Sequence, residues 1–151
     1  MKIRSRLFIL ALGGETAWNG SGGGTSTVFS APQYQQGVGG KRTVPDVAAL
    51  ADPNTGVASY SDGQWGVAGG TSLAAPLWAG FAALYDQAAA GAGKSALGPA
   101  NTALYQAAPG GSGFHDVTSG SNGGFQAGTG YDQVTGNGSY DFSVLSKALG
   151  A

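Results

Sequence analysis

Apolar and polar residues alternate over residues 57–61, and a second run over residues 64–68 is suited to a partner strand. Alternation with a period of two is typical of a half-buried strand. Asp62-Gly63, between the two runs, is a preferred pair for a two-residue hairpin turn. The pattern therefore predicts a β-hairpin over residues 57–68.

The longest apolar stretch runs from Ser72 to Ala90, and its apolar residues fall on nearly every side of a helix. A helix of this kind is typical of a buried, central position. Pro76 is compatible with it because proline is tolerated near the first helical turn. Two shorter helices are predicted, around residues 99–108 and over residues 142–149.

Glycine is abundant, at 29 of the 151 residues. It is concentrated in residues 13–43 and 110–138, which we therefore predict to be irregular loops. Residues 52–56 predict a turn, because proline fixes one backbone dihedral and asparagine and glycine tolerate the next.

The first twelve residues are basic and then apolar, ending in the run Leu7–Leu12. Two interpretations stay open for residues 1–12, a signal peptide with a short apolar core or a buried strand. No run approaches the ~20 apolar residues of a membrane span, so we expect no membrane partner.

Composition narrows the classes of function. Charged residues make up only 10% of the chain and form no basic stripe, so nucleic acid is not expected as a partner. The absence of cysteine excludes disulfides and thiolate metal sites. A chain with few ionisable groups changes its charge little on acidification, which suits work at low pH.

Ser72 is the residue best placed for chemistry, since it follows Gly69-Gly70 at the start of the long predicted helix. The glycines allow a sharp turn, and the free N–H groups of a helix start can stabilise an oxyanion. Serine and threonine are also common helix caps. From these residues alone, a nucleophile and an ordinary cap both remain possible.

A longer motif favours the nucleophile. Residues 69–80 resemble the serine motif of the sedolisins, the serine-carboxyl peptidases with a subtilisin-like fold. The resemblance continues through residues 44–56 upstream and through residues 114–123 and 128–136 downstream. It implies that residues 13–151 are the C-terminal part of an α/β peptidase domain. The implied fold is a partly parallel sheet with a buried central helix that starts at Ser72.

The resemblance also implies the roles of individual residues. Ser72 would be the nucleophile, and its base in this family is a glutamate backed by an aspartate one helical turn away. Glu15 is the only glutamate in the chain, and no acidic residue stands four positions after it. Asp46 and Asp52 match positions of the family that are not catalytic, and we interpret them as turn and hydrogen-bonding residues. We therefore expect this chain alone to lack peptidase activity.

Residues 114–123 and 128–136 resemble the calcium loop of the family. The resemblance implies a Ca²⁺ site with the carboxylates of Asp116 and Asp132 and the backbone carbonyls of Val117, Gly128 and Gly130. Without the resemblance, the two aspartates are better explained as turn formers. His115 lies in the same loop, so a subtilisin-type role for it as base to Ser72 is the weaker hypothesis.

The expected function is therefore that of a secreted, acid-acting serine endopeptidase with peptide or protein substrates, incomplete in this chain. One alternative is a non-catalytic, calcium-stabilised module, or a subunit completed by another chain. A second is a secreted binding module rich in Gly, Ser and Thr, with an unreactive Ser72. An isolated part of such a domain would expose apolar faces that the rest normally covers.

Overall fold

The computed structural model describes residues 14–109, 111 and 113–151, so the predicted signal-like segment lies outside the described residues. Three α-helices and six short strands occur in the described part. The strands are β1 (Gly24–Ser30), β2 (Lys41–Val44), β3 (Val57–Ser61), β4 (Gln64–Ala68), β5 (Phe114–His115) and β6 (Ser139–Tyr140). The helices are α1 (Thr71–Gly91), α2 (Asn101–Ala107) and α3 (Phe142–Ala148), and a single 3₁₀ turn spans Gln33–Gln35.

The strands form antiparallel pairs, β1 with β2, β3 with β4 and β5 with β6. The predicted partly parallel sheet is therefore not present in the described residues, where the only parallel pairing is an isolated bridge between Ala17 and Gly120. The prediction of an irregular loop over residues 13–43 was also wrong. The segment is rich in glycine, but it also contains Thr25, which pairs with Thr43 across β1 and β2. Both are β-branched residues, which favour strands.

The predicted β-hairpin is confirmed. Ser61 pairs with Gln64, and the two residues between them have positive φ angles, 51° at Asp62 and 78° at Gly63. Positive φ at both central residues is the geometry of the tight turn that Asp-Gly favours. The strands are largely exposed, and Trp65 retains 75% of its accessible surface.

The long helix is confirmed over Thr71–Gly91, but its predicted burial on all sides is wrong for the described residues. Its buried residues are Phe81, Tyr85 and Ala89, which are spaced four apart and form one stripe. Leu84, on another side, is 53% exposed. The reason is that the described elements cover α1 on one side only.

The hydrophobic core lies along this stripe of α1, where it meets Leu104 of α2, Phe114 of β5 and Leu145 of α3. Phe81 is at its centre, with ring centroids of Tyr140 and Phe142 at 5.0 and 5.4 Å. The two shorter helices are confirmed within two residues of their predicted bounds. The helix α3 is capped by Asp141, which accepts the Val144 N–H at 3.0 Å.

Candidate active site at the start of α1

Ser72 is the second residue of α1, and its side chain is exposed. The turn before it depends on both glycines. Gly70 has a φ of 88°, in the region that favours glycine, and a Cβ on Gly69 would lie 2.5 Å from Cα of Pro53. The Gly70 N–H donates to the carbonyl of Ala51. The turn that presents Ser72 is therefore fixed against residues 51–53.

The first backbone N–H groups of α1, at and next to Ser72, are unpaired in the described residues. The first intrahelical bonds run from Leu73 and Ala74 to the Gly70 carbonyl, at 2.9 and 3.4 Å. Within the described residues, the N–H groups of Thr71 and Ser72 and the Ser72 hydroxyl have no hydrogen-bond partner. Such donors at a helix start favour a negative charge beside them.

The segment 45–51 runs beside the first turns of α1. Trp78 Nε1 donates to the Ala48 carbonyl at 2.9 Å, which ties this segment to the helix. A mainly apolar cavity of about 420 Å³ lies between the two, lined by residues that include Thr71, Ala75 and Trp78. It adjoins the turn at Ser72, although Ser72 itself does not line it.

Asp46 holds the segment 45–51 in place through hydrogen bonds to neighbouring elements. Its carboxylate accepts hydrogen bonds from Arg42 at 2.5 Å, Tyr105 at 2.8 Å and Asn101 at 3.0 Å. Its backbone carbonyl accepts two more from Asn137. The interpretation of Asp46 as a hydrogen-bonding residue is thus confirmed, as is that of Asp52, which accepts from Asn54 in a local turn at 2.8 Å.

A wider polar network surrounds Asp46, and sequence reasoning missed it. Gln35 is fully buried and donates to Thr43 and Tyr105 at 2.8 and 2.6 Å. Tyr131 donates to the Thr43 hydroxyl at 2.9 Å. Burial raises the pKa of Tyr105 and of Tyr131, so both hydroxyls remain donors at acidic and neutral pH. The available signal was Arg42 four residues before Asp46, an opposite-charge pair in a chain poor in charge.

Neither residue considered as a base for Ser72 contacts it. Both carboxylate oxygens of Glu15 lie 2.7 Å from the Ser139 hydroxyl, which joins the start of the described chain to β6. His115 lies on β5 and faces Ser139 across the pair with β6. In the part of the chain that the structure describes, no hydrogen bond links Ser72 to an acid or to His115.

The residues of the predicted calcium loop lie next to one another. The Asp116 carboxylate accepts the Gly130 N–H at 2.8 Å, and that of Asp132 accepts the Gly128 N–H at 3.0 Å. Val117, beside Asp116, is 4% exposed. No group of three or more His, Cys, Asp or Glu residues is found in the described ranges. A metal here would therefore need backbone carbonyls as well as carboxylates.

A scan against protein-family models gives no match. Kumamolisin from Bacillus sp. (strain MN-32) is 41% identical over 83% of the chain. Sedolisin from Pseudomonas sp. (strain 101) is 37% identical over 90% of it, and human tripeptidyl-peptidase 1 is 34% identical over 85%.

A solved structure of Pseudomonas sedolisin, a serine-carboxyl proteinase complexed with pseudo-iodotyrostatin, is similar to 89% of the chain with a TM-score of 0.78. Over most of its length, the chain belongs to the sedolisin family. The resemblance stated from the sequence is thereby confirmed, and with it the similarity to the sedolisin fold.

The chain spans only part of these sedolisin relatives. It covers 26% of kumamolisin, 26% of Pseudomonas sedolisin and 27% of human tripeptidyl-peptidase 1. It covers 40% of the chain in the solved sedolisin structure. Most of each relative therefore has no counterpart in these 151 residues.

Proposed function

We propose that the chain is the nucleophile-bearing, C-terminal part of a secreted serine-carboxyl endopeptidase, with Ser72 as nucleophile. The observation that carries the proposal is the setting of Ser72. It is exposed at the second position of α1, beside backbone N–H groups without partners in the described residues. Membership of the sedolisin family supports the class of reaction.

In the proposed reaction, Ser72 Oγ attacks the carbonyl carbon of a peptide bond, and a carboxylate base takes the hydroxyl proton. The C–N bond then breaks, the proton passes to the leaving amine, and water hydrolyses the acyl-serine ester. The N–H groups at the start of α1 stabilise the oxyanion. A carboxylate with a pKa near ~4.3 still accepts protons in acid, where a histidine with a pKa near ~6.5 is already protonated.

The carboxylate base is proposed to come from outside these 151 residues. Glu15 is held by Ser139, Asp46 by Arg42 and its neighbours, and Asp52 by its own turn. Each of these acids therefore already has hydrogen-bond partners other than Ser72. The chain alone then binds or hydrolyses peptides poorly, and the complete domain is the active form.

Two forms of the protein test this proposal. The first is the chain alone, and the second is a single-chain fusion to the part of the Pseudomonas sedolisin chain outside the matched region. We expect only the fusion to cleave an acid-denatured protein at pH 3–5. Ser72→Ala should lower cleavage by at least ~10³-fold, because removing a nucleophile leaves only binding and oxyanion stabilisation.

Ser61→Ala is the matched control, since Ser61 is exposed at the end of β3 and should not affect cleavage. Undiminished cleavage by the Ser72→Ala fusion would refute the role of Ser72. Cleavage by the unfused chain, lost in Ser72→Ala, would instead show that no outside carboxylate is required.

We also propose that Ca²⁺ binds between residues 116–117 and 128–132. Asp116 and Asp132 would contribute carboxylates, and Val117, Gly128 and Gly130 carbonyls. An oxygen-only donor set is what calcium prefers. Among the described residues neither carboxylate forms an ion pair with Lys or Arg, so their charge favours a cation. When bound, the ion would link the two ends of this loop and stabilise the fold.

Calcium should raise the stability of the chain without any need for turnover. At a free concentration ten times the Kd, we expect unfolding to cost about 1.4 kcal/mol more, because the ion binds only the folded form. Thermal unfolding of the chain with CaCl₂ or with a chelator measures this. Asp116→Asn should abolish the response, and Asp62→Asn, in the exposed hairpin turn, should keep it. An equal melting temperature in calcium and in chelator would contradict the proposal.

The alternative is a non-catalytic, calcium-stabilised module. It is favoured by the lack of an acid bonded to Ser72 in the described residues. It predicts the calcium response together with an inactive fusion.

As for location, none of the described helices has both the length and the apolar character needed to cross a membrane.

A further inference from the structure

Three of the asparagines in the chain, Asn19, Asn122 and Asn137, are each followed by glycine. In such a pair the backbone nitrogen of the glycine can attack the side-chain amide carbon of the asparagine, because glycine has no Cβ to obstruct the approach. The attack requires an amide that is free to rotate and a glycine N–H that is free to lose its proton. The hydrogen bonds around each pair therefore determine whether it reacts.

The pair Asn137-Gly138 is held in place by the fold. The side-chain amide of Asn137 donates to the Asp46 carbonyl at 2.9 Å, and its backbone N–H donates to the same carbonyl at 2.9 Å. The Gly138 N–H donates to the Thr135 carbonyl at 3.0 Å, and Gly138 is buried. Neither the amide nor the attacking nitrogen is free.

The pair Asn122-Gly123 is held by its own loop. The side-chain oxygen of Asn122 accepts the N–H groups of Gly124 at 3.1 Å and of Phe125 at 2.8 Å. The Gly123 N–H donates to the Ser121 hydroxyl at 3.3 Å. Rotation of the amide toward Gly123 would therefore break the turn that it closes.

The pair Asn19-Gly20 has no such restraint. It forms the centre of an exposed turn closed by one hydrogen bond, from the Ser21 N–H to the Trp18 carbonyl at 3.0 Å. Within residues 14–109, 111 and 113–151, neither the Asn19 side chain nor the Gly20 N–H has a hydrogen-bond partner. A Cβ on Gly20 would lie 2.4 Å from the Trp18 ring, so the turn requires glycine at the position that makes Asn19 reactive.

We propose that Asn19 is a site of spontaneous deamidation, whereas the fold protects Asn122 and Asn137. The Gly20 nitrogen loses its proton to hydroxide and bonds to Cγ of Asn19, the Cγ–Nδ2 bond breaks, and ammonia leaves. Water then opens the cyclic imide at either of its carbonyls and yields aspartate or isoaspartate, with no electron transfer. A neutral amide is thereby replaced by a carboxylate, which changes the formal net charge of the chain from −1 to −2.

The test follows all three sites in one sample. The 151-residue chain is incubated at mildly alkaline pH, folded or unfolded in guanidinium chloride, and deamidation at each asparagine is measured by peptide mapping with mass spectrometry. In the folded chain we expect Asn19 to react at least ~10-fold faster than Asn122 and Asn137, because hydrogen bonds must first break at those two sites. In the unfolded chain the three rates should be similar. In acid the reaction at Asn19 should slow, because little hydroxide is present.

Two variants locate the charge change by isoelectric focusing. Asn19→Gln should remove the more acidic form, because the longer side chain must close a larger ring that forms more slowly. Asn54→Gln is the matched control and should still produce the acidic form. Asn54 is exposed like Asn19, but it is followed by Thr55, whose branched side chain obstructs the attack.

Equal rates at the three sites in the folded chain would overturn the proposal, and so would a faster reaction at Asn122 or Asn137 than at Asn19. An acidic form that persists in Asn19→Gln would also contradict it, since the modification would then lie elsewhere.

Discussion

Replacing Phe81 with alanine is expected to lower the free energy of unfolding by about 3–5 kcal/mol, the usual range for a buried phenylalanine. The Phe81 side chain is 2% exposed and is the aromatic centre of the core. Its ring lies 5.3 Å from Trp78 and 5.0 Å from Tyr140, and aromatic pairs at such distances add to the effect of burial. Urea unfolding followed by circular dichroism measures the loss.

Leu84→Ala is the control for this prediction, because Leu84 lies on the same helix and is 53% exposed. We expect it to change the stability of the isolated chain by less than about 0.5 kcal/mol, as surface substitutions do. Equal losses at the two positions would mean that α1 is not covered on the Phe81 side alone. The described packing of the core would then be wrong.

The contrast between Phe81 and Leu84 also shows what the sequence could predict. The existence and bounds of α1 followed from an apolar stretch between Gly70 and Gly91. Which side of α1 is buried could not be predicted, because its own apolar residues fall on every side of the helix. The pattern predicts a helix that is buried on all sides, whereas the residues that the structure describes pack against one side of it only.

Long-range strand pairing was the least predictable feature. The hairpin β3–β4 has a local signal, since Asp62-Gly63 joins strands that are adjacent in sequence. The pairs β1–β2 and β5–β6 join segments separated by longer stretches rich in glycine, and no turn pair marks them. The partner of a strand in such a stretch is set by tertiary packing, which a single sequence does not display.

At the candidate site, the position of Ser72 could be predicted because the motif is continuous. Gly69, Gly70 and the start of the helix all lie within four consecutive residues. The network around Asp46 could not be predicted, because its members come from four separate parts of the sequence, residues 35–46, 101–105, 131 and 137. The calcium site remains a prediction, which thermal unfolding with CaCl₂ or with a chelator tests.

Asp46 connects this network to the turn that presents Ser72. The carboxylate and carbonyl of Asp46 hold residues 45–51 against α2 and Asn137, and Ala48 and Ala51 accept hydrogen bonds from Trp78 and Gly70. The turn at Ser72 thus rests on a segment whose position depends on one acidic side chain. Loss of that side chain should loosen the turn as well as the fold.

Asp46→Asn is accordingly expected to lower the free energy of unfolding by about 2–3 kcal/mol. The carboxylate accepts from three donors, whereas an amide offers one oxygen and turns a donor toward Arg42, Asn101 or Tyr105. About a fifth of each side chain of the Arg42–Asp46 pair remains exposed, at 22% and 19%, so water recovers part of the loss. Chemical unfolding of the variant gives the change in stability.

Asp86→Asn is the matched control, because Asp86 accepts a single N–H, from Leu97, which an amide oxygen can also accept. We expect it to cost less than about 0.5 kcal/mol. Amide hydrogen exchange adds a local measurement, since the Gly70 N–H is bonded to Ala51 and should exchange faster in Asp46→Asn than in Asp86→Asn. Equal exchange in the two variants, after correction for global stability, would show that the turn at Ser72 does not depend on Asp46.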